Sequence, residues 1–367
     1  MMRRNSILLI AAMLITLSSC APKSQERTVI EKDDKIITVI EGEEAAGSEE
    51  LLIEKIEEFK NIRGLDWQDE EKLLISKENK NVDKIQSEGE AFYPNNLYIF
   101  DTKTKEAKIL KEDRSNQAFA KFSPDKKHIF YKKNSEETAR GYIMDSDGNN
   151  EVLITGDNAI HVMAGNWIDN ERVFYPDFSG TVYEADISGK NFKLVQLKAK
   201  SINKAYKIGD QIYFISLEGE LIKYDTVTDS QSVVEKDVFD VIPSQNPNRI
   251  AYIKMNQDEK DALIVCDNDF SNKKILVESE NISGTSWSPD NTRIVYSISS
   301  DDKGNSGTYV SDLKTGKSTR IALSKDVLNL SWSPSGKKLA ICQVHTDEDV
   351  NPDSRYAFST TVITLSK

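Results

Sequence analysis

The stretch WSPDNTRIVY, residues 287–296, decides the fold of this chain because it returns elsewhere in recognisable form. A second copy is WSPSGKKLAI at residues 332–341, and a third is FSPDKKHIFY at residues 122–131. Each copy is an aromatic residue, a tight turn, a basic residue and an apolar strand, with turn-forming Pro, Asp, Ser, Gly or Asn between them. Repetition of such a unit predicts an architecture built from copies of one supersecondary element.

Weaker copies complete a series of seven half-units, which begin at Trp67, Phe122, Trp167, Tyr206, Ile242, Trp287 and Trp332. A second half-unit is a strand that ends in aspartate, and its copies are 39 to 45 residues apart. The six copies end at Asp101, Asp145, Asp186, Asp225, Asp267 and Asp312. A period of about 40–45 residues that carries four strands is typical of β-propeller blades.

The seventh unit is one strand short, with apolar runs at residues 328–332, 339–344 and 358–365. A missing strand would leave an open edge that invites aggregation. The run LLIEK at residues 51–55 stands directly before the first blade. We therefore expect it to supply the outer strand of the last blade and close a ring of seven four-stranded blades. Six blades is the alternative, if a weak central copy is not a true blade.

The N-terminus reads as an export signal. A basic start, MMRR, precedes an apolar run at residues 7–17, which is too short for a comfortable membrane span. The run ends in LSSC at Cys20, which resembles the bacterial lipobox, whose cysteine is lipidated. The resemblance implies a lipoprotein signal peptide at residues 1–19, a polar tether at 20–49 and a propeller at 50–367. Lipid on Cys20 would anchor the protein to the extracytoplasmic face of the cell membrane, or to the outer membrane if the envelope has one.

Composition narrows the functional classes. The chain has 367 residues and a formal net charge of -12, which disfavours nucleic-acid binding because phosphates require clustered basic residues. Cys266 and Cys342 lie in apolar, strand-like runs, so we expect buried unpaired thiols, with a disulfide as the less favoured alternative. No Cys/His cluster has zinc spacing, and we predict no metal and no cofactor. Residues 28–40 have β-forming composition and would form a small hairpin or an accessory strand.

The half-units at Phe122, Trp287 and Trp332 resemble the W-S-P-D-G-x-x-I-A-F repeat of TolB-type, WD40-like propellers. The same pattern occurs in the propellers of prolyl-oligopeptidase-type peptidases. The resemblance covers residues 50–367 and implies the fold, whereas function depends on sites placed on folds. The additional N-terminal domain of TolB is not expected here, nor is the hydrolase domain of the peptidases with its G-x-S-x-G motif. Neither activity therefore transfers.

Most conspicuous side chains have a structural interpretation. The repeated strand-end aspartates are expected to accept backbone hydrogen bonds in turns rather than to form a ring of carboxylates. The acidic segment at residues 145–151 resembles a calcium loop only in part, and a hairpin turn explains it better. The four tryptophans share one blade position, so we expect packing between blades rather than a ligand platform. The three histidines have no motif partners, and no catalytic residue is predicted.

One segment breaks the repeat and is our candidate binding loop, because loops on a rigid scaffold often carry binding. It is acidic and interrupts the last blade, and its candidate residues are Thr346, Asp347, Glu348, Asp349, Asn351 and Asp353.

These observations favour a non-enzymatic, lipid-anchored propeller outside the cytoplasm that binds an envelope protein, peptide or polymer. The alternative is a hydrolase or lyase that acts on glycans or peptides in the propeller channel. A third interpretation is a scaffold for a membrane complex.

Overall fold

A computed structural model describes residues 27–32, 35–40, 51–87, 90–135, 137–199, 202, 204–244, 248–256, 258, 260–301, 304–345 and 357–366. The chain divides into two compact units, Met1–Gly47 and Ser48–Lys367. All regular secondary structure in the described ranges is β-strand. These ranges contain no helix that is long and apolar enough to cross a membrane.

The strands are numbered in chain order. The first seventeen are β1 (Arg27–Lys32), β2 (Lys35–Ile40), β3 (Leu52–Lys60), β4 (Arg63–Trp67), β5 (Lys72–Glu78), β6 (Ile85–Ser87), β7 (Glu90–Phe92), β8 (Asn95–Asp101), β9 (Ala107–Ile109), β10 (Asn116–Phe122), β11 (His128–Ser135), β12 (Thr138–Asp145), β13 (Val152–Leu153), β14 (Ile160–His161), β15 (Asn166–Trp167), β16 (Arg172–Pro176) and β17 (Thr181–Asp186). The others are β18 (Asn191–Gln196), β19 (Ala205–Ile208), β20 (Gln211–Ile215), β21 (Leu221–Asp225), β22 (Ser230–Glu235), β23 (Val238–Pro243), β24 (Arg249–Met255), β25 (Asp261–Asp267), β26 (Lys274–Ser279), β27 (Asn281–Trp287), β28 (Arg293–Ser299), β29 (Gly307–Asp312), β30 (Ser318–Ala322), β31 (Val327–Trp332), β32 (Lys338–His345) and β33 (Ala357–Ser366).

The second unit is a seven-bladed β-propeller, which confirms the predicted fold. From the innermost strand outward, the blades are β4-β5-β8-β9, β10-β11-β12-β13, β15-β16-β17-β18, β19-β20-β21-β22, β23-β24-β25-β26, β27-β28-β29-β30 and β31-β32-β33-β3. The short β14 adds to the second blade beside β12, and β6 and β7 form a separate hairpin. The weak central copies are true blades, so the six-bladed alternative is excluded.

The N-terminal strand closes the ring as predicted. Strand β3 pairs antiparallel with β33 from Leu52↔Ser366 to Lys60↔Ser359, with one register shift between Ile53 and Lys55. It is longer than the apolar run that predicted it, because it extends to Lys60. The last blade is therefore assembled from both ends of the propeller sequence.

The tryptophans join neighbouring blades, as their shared position predicts. In each case the indole N–H donates to a backbone carbonyl of the preceding blade, and the ring packs against the same neighbour. The four bonds are Trp67 Nε1 to Ser331 O at 3.0 Å, Trp167 Nε1 to Lys121 O at 3.0 Å, Trp287 Nε1 to Ile242 O at 3.0 Å and Trp332 Nε1 to Ser286 O at 3.4 Å. Three of the acceptors, Ser331, Lys121 and Ser286, stand directly before the aromatic residue of their own half-unit. The fourth, Ile242, stands directly before Pro243.

The WSPD segments are tight turns built on a serine. The Ser288 hydroxyl donates to Asp290 Oδ1 at 2.6 Å and accepts from the backbone N–H of Arg293 at 2.9 Å. Asn291 then has φ of 56°, a left-handed conformation that asparagine tolerates.

Four of the six strand-end aspartates accept backbone N–H groups in turns, as expected, whereas Asp145 and Asp267 accept the side-chain amides of Asn150 and Asn272, each at 2.7 Å. Asp101, Asp186, Asp225 and Asp312 each accept two backbone N–H bonds from the residues that follow.

The remaining structural expectations are also answered. Strands β1 and β2 pair as a two-stranded antiparallel sheet, so the segment at residues 28–40 forms a hairpin. Cys266 and Cys342 are both buried and free, which confirms the predicted thiols and rules out a disulfide between them.

The up-and-down strand order gives the propeller two different faces. The turns between the first and second strands and between the third and fourth strands of each blade share one face, which we call the turn face. The links between blades and the loops between second and third strands share the other, which we call the loop face. Each innermost strand therefore begins at the loop face, as β4 does at Arg63, and ends at the turn face, as β4 does at Trp67.

Candidate functional site

The seven innermost strands surround a central channel, and basic side chains line it. The Lys121 side chain, on β10, is exposed, while its neighbours Ala120 and Phe122 are buried in the blade packing. Enclosure by protein lowers the pKa of Lys121, while Asp66 in blade 1 and Asp240 in blade 5 act to raise it. The Lys121 ammonium can interact electrostatically with both Asp66 in blade 1 and Asp240 in blade 5 only if it lies in the channel that these blades surround.

The two channel carboxylates are already neutralised by ion pairs. Asp240 Oδ1 lies 2.6 Å from the Lys204 ammonium, and Asp66 Oδ2 lies 3.5 Å from the Lys126 ammonium. Asp66 also accepts the backbone N–H of Phe122 at 2.9 Å, which joins blade 1 to blade 2. These acids therefore leave little negative charge to balance further lysines.

Arg63 lies between two aromatic rings at the loop-face end of β4. Its guanidinium carbon is 4.5 Å from the centroid of Phe119 in blade 2 and 5.6 Å from that of Phe358 in blade 7. Its Nε atom is buried without a hydrogen-bond partner in the described part of the chain. Burial lowers the pKa of Arg63, and no carboxylate acts to raise it. The guanidinium keeps its charge at neutral pH and has donors to spare.

Lys132 is a second buried base without a carboxylate. Only 4% of the residue is exposed, and its ammonium lies 4.1 Å above the Phe130 ring and 3.5 Å from the Phe119 carbonyl. Burial, and secondarily the charge of Lys121, lower the pKa of Lys132 to about 7. Lys132 therefore lies close to the Arg63 side of the channel and titrates near neutral pH.

β-Bulges shape the channel wall. Register shifts occur in the innermost strands β4, β10, β23, β27 and β31. A bulge inserts one extra residue and re-aims side chains. In β23 the extra residue is Phe239, which is 45% exposed, and in β31 it is Leu328, which is 46% exposed. Phe239 and Leu328 therefore present exposed apolar surface near the loop-face ends of their innermost strands.

We call this site the basic channel and define it by Arg63, Lys121, Lys132, Lys204, Asp66 and Asp240. After the two ion pairs are counted, Arg63, Lys121 and Lys132 remain without a salt-bridge partner among the described residues. The hydroxyl of Tyr206 adds a donor near Asp240, and burial raises its pKa, so it stays protonated. An enclosed site with surplus positive charge focuses the field that attracts anions, although the whole chain has a net charge of -12. The arrangement therefore suits an anionic ligand that also offers surfaces for aromatic contact.

Cys20 and the candidate binding loop at residues 346–354 lie outside the described residues. The acidic segment at 145–151 forms a hairpin turn, with the Gly148 N–H donating to the Asp145 carbonyl at 2.9 Å.

The three histidines are dispersed rather than clustered. His128 Nδ1 is 3.2 Å from Asp145, His161 Nε2 is 3.9 Å from Glu137, and His345 Nε2 is 2.7 Å from Ser359 Oγ. In the described residues no group of three His, Cys, Asp or Glu side chains could hold a metal ion.

The sequence reasoning missed the basic channel, although part of its signal was present. Asp66 and Lys121 each stand directly before the repeat aromatic, at a position that the repeat places on an innermost strand. Comparing the residue before the aromatic position across the seven copies would have shown that Asp66 and Lys121 carry charges there. Arg63 and Lys132 occupy no such regular position.

No family model matches this chain, and no curated protein matches it. Solved structures do share its fold. An oligogalacturonate lyase in complex with manganese covers 94% of this chain and 97% of its own, with a TM-score of 0.62 and 13% identity. An oligogalacturonate lyase from Vibrio parahaemolyticus covers 85% and 97%, with a TM-score of 0.58 and 12% identity. A chain of the mitotic checkpoint complex covers 98% and 100%, with a TM-score of 0.56 and 12% identity.

These likenesses bear on one earlier expectation and raise the question of one metal. The prediction that the protein is not an enzyme is wrong, because it rested on the absence of a catalytic motif, and two lyases are similar in fold over nearly their whole chains. The manganese of the first lyase does not fit the described residues here, since they offer no three-ligand cluster and the three histidines lie apart.

Proposed function

We propose that the basic channel binds an anionic oligosaccharide of the uronate class, and that the protein is a lyase that cleaves it. The observation that carries the proposal is the set of three basic groups, Arg63, Lys121 and Lys132, which have no salt-bridge partner among the described residues of the enclosed channel.

Unpaired buried charges favour a ligand that neutralises them. Removing an ionised group from water is costly unless an opposite charge or a hydrogen bond replaces the solvent. A ligand carboxylate beside Arg63 would accept a two-pronged hydrogen bond from its guanidinium and satisfy the free Nε. The channel is thus prepared for a carboxylate before any ligand arrives.

Aromatic and hydroxyl groups favour a sugar over a small inorganic anion. Phe239 is exposed on β23, and Phe119 and Phe358 flank Arg63, so flat apolar surfaces border the charged groups. The Tyr206 hydroxyl supplies a polar contact. The two lyases of similar fold are named for oligogalacturonate, which is an acidic saccharide, and this supports the choice of ligand class. Of the partner classes expected from the sequence, the channel favours the polymer.

The chemistry that the channel residues could support is β-elimination. Arg63 would neutralise the uronate carboxylate, which acidifies the hydrogen on the adjacent carbon. Lys121, exposed in the channel and with a lowered pKa, would take that proton. The bond from the next carbon to the glycosidic oxygen then breaks, a carbon–carbon double bond forms, and the departing oxygen receives from the Lys121 ammonium the proton that Lys121 has taken. Atoms and charge balance without water or an oxidant.

The direct test incubates the purified protein with galacturonate oligomers and follows the ultraviolet absorbance of the conjugated double bond in the product. We expect absorbance to rise for the native protein and to be lost in Arg63→Gln and Lys121→Met. Lys103→Met is the matched control, since Lys103 is an exposed turn-face lysine. Binding without an absorbance change would overturn the lyase assignment, and the absence of binding to any acidic saccharide would overturn the ligand class as well.

We also propose that the protein is exported and held at the membrane by lipid on Cys20. The support is the order of basic start, apolar core and terminal cysteine in the first twenty residues. Such an anchor would place the channel outside the cytoplasm, where envelope polysaccharides are found. Cys20→Ala should release the protein from the membrane fraction or leave it unprocessed. Unchanged fractionation and unchanged mass would refute the anchor.

A further inference from the structure

A cleft of about 550 Å³ opens near the basic channel. Its wall includes the inter-blade link at Asn61, the end of β5 with the loop that follows, and the start of β33. The volume lies within the range of small-molecule sites, roughly 300–1,000 Å³. We name it the lysine–asparagine cleft, and its main polar lining is Lys60, Lys77, Lys80, Asn61, Asn95 and Tyr98.

The cleft adjoins the basic channel, because two of its lining residues are neighbours of Arg63. Ile62 lines the cleft, and the next residue, Arg63, begins the innermost strand of blade 1. Phe358 also lines the cleft, and its ring centroid is 5.6 Å from the guanidinium carbon of Arg63. A chain-like ligand held at Arg63 would therefore extend into the cleft past Phe358.

The lining carries surplus positive charge. Three lysines line the cleft against one carboxylate, that of Glu78. The Lys77 ammonium lies 4.8 Å above the Tyr98 ring, and the Lys80 ammonium 5.9 Å from the Tyr93 ring. Within the described ranges, neither lysine has a carboxylate at salt-bridge distance. Aromatic support leaves both ammonium groups able to donate to a ligand.

The floor of the cleft is rigid because its asparagines hydrogen-bond to one another. Asn79, which is 1% exposed, donates from its amide nitrogen to Asn96 Oδ1 at 2.9 Å, and its own Oδ1 accepts the Asn81 N–H at 3.0 Å. Asn96 in turn donates to the Asp113 carbonyl at 3.0 Å. Because these amides are buried and already paired, they position the loop that carries Lys80 and so reduce the ordering cost of binding a ligand there.

We infer that the lysine–asparagine cleft is a second subsite, which binds a further acidic sugar of the same oligosaccharide whose reacting residue lies at Arg63 and Lys121. The inference rests on the proposed function and adds that the protein binds longer oligosaccharides more tightly than short ones. Short uronates would fill the channel alone, whereas longer ones would also reach Lys77 and Lys80 and bind more tightly.

Isothermal titration calorimetry with galacturonate oligomers of increasing length tests this subsite. For the native protein we expect affinity to rise with length until both sites are filled. In the double variant Lys77→Ala/Lys80→Ala, the longest oligomer should bind about tenfold more weakly, since each lost charged contact weakens binding. Affinity for the shortest oligomer should not change. The control is Lys103→Ala/Lys127→Ala, which removes two exposed lysines of the turn face.

The outcomes separate the two proposals. Binding of short oligomers with no gain on lengthening, or a full gain retained in the Lys77→Ala/Lys80→Ala variant, would overturn the cleft subsite alone. The absence of binding to every oligomer would overturn the proposed function, and the subsite with it.

Discussion

Trp67 shows how a single side chain serves two blades. It is fully buried, and its indole N–H donates to the Ser331 carbonyl across the junction where the ring closes. Trp167 makes the equivalent bond to the Lys121 carbonyl but is only partly buried. The same hydrogen bond thus occurs once in a fully buried and once in a partly buried environment. Comparing the two separates the contribution of the hydrogen bond to stability from that of packing.

We expect Trp67→Phe to lower the free energy of unfolding by about 2 kcal/mol, from the lost packing volume and the unsatisfied buried carbonyl. Trp167→Phe should cost clearly less because water can reach its surroundings. Equilibrium denaturation in urea measures both. An equal or larger effect at position 167 would contradict the assignment of Trp67 as the better-buried joint.

The pH dependence of the proposed lyase should report on Lys121. A base must be unprotonated to act, so kcat should rise with pH towards the pKa of Lys121, which enclosure by protein lowers from its ordinary 10.5. We follow kcat rather than kcat/KM because Lys132 loses its charge near pH 7, which weakens binding of the anion and raises KM. Asp240 acts to raise that pKa, so Asp240→Asn should move the inflection to lower pH. The control is Asp101→Asn in a turn-face loop. An inflection that stays in place in Asp240→Asn would contradict Lys121 as the base.

At the scale of the element, strand β22 is tied to the next blade through one carboxylate. Glu235 lies 2.9 Å from the ammonium groups of both Lys254 and Lys273, and it accepts the Tyr252 hydroxyl at 3.1 Å. Burial favours the neutral acid, but the hydrogen bonds from the two lysines outweigh it and lower the pKa of Glu235 to about 2. The ionised form is therefore part of the contact between blades 4 and 5.

This contact should weaken in acid. The pKa of Glu235 falls from 4.5 to about 2 on folding, which corresponds to about 3 kcal/mol of stability. Because the folded-state value is lowered, that contribution is present above pH 4.5 and is lost as pH falls towards 2. Glu235→Gln should thus be destabilised relative to the native chain at pH 7, with a difference that shrinks below pH 4.5. Thermal unfolding across this pH range measures it, and a difference independent of pH would count against the ion pairs.

At the scale of the whole molecule, the last blade depends on a strand from the other end of the propeller sequence. A chain that begins at residue 48 retains β3, whereas one that begins at residue 61 exposes the ten-residue edge of β33. We expect the first to be monomeric with native unfolding, and the second to aggregate or unfold at lower temperature. Size-exclusion chromatography and circular dichroism distinguish them. A monomeric, equally stable second chain would show that β3 is dispensable.

The sequence predicted what the repeat itself encodes: blade number, turn chemistry, the tryptophan joints and the strand that closes the ring. Each depends on local residue types or on one period. The basic channel does not repeat, since Arg63, Lys121 and Asp240 come from blades 1, 2 and 5 and meet only once the ring is formed. The bulges in the innermost strands add a residue and so change which side chain faces the channel, which strand alternation alone does not reveal. The prediction that the protein is not an enzyme rested on the absence of a linear motif, and a site assembled from distant blades would leave none.

The pairing of β3 with β33 also determines when the propeller ring can close during synthesis. Leu52 pairs with Ser366, which is synthesised more than three hundred residues later. Strand β3 therefore remains unpaired while all seven innermost strands are synthesised. Contacts between such distant residues form late and slowly, because loop closure must come before any gain from the contact. During that interval the nascent chain carries an unpaired strand edge at each end. We therefore expect chaperones that bind unfolded chains to bind most strongly just before the last ten residues emerge.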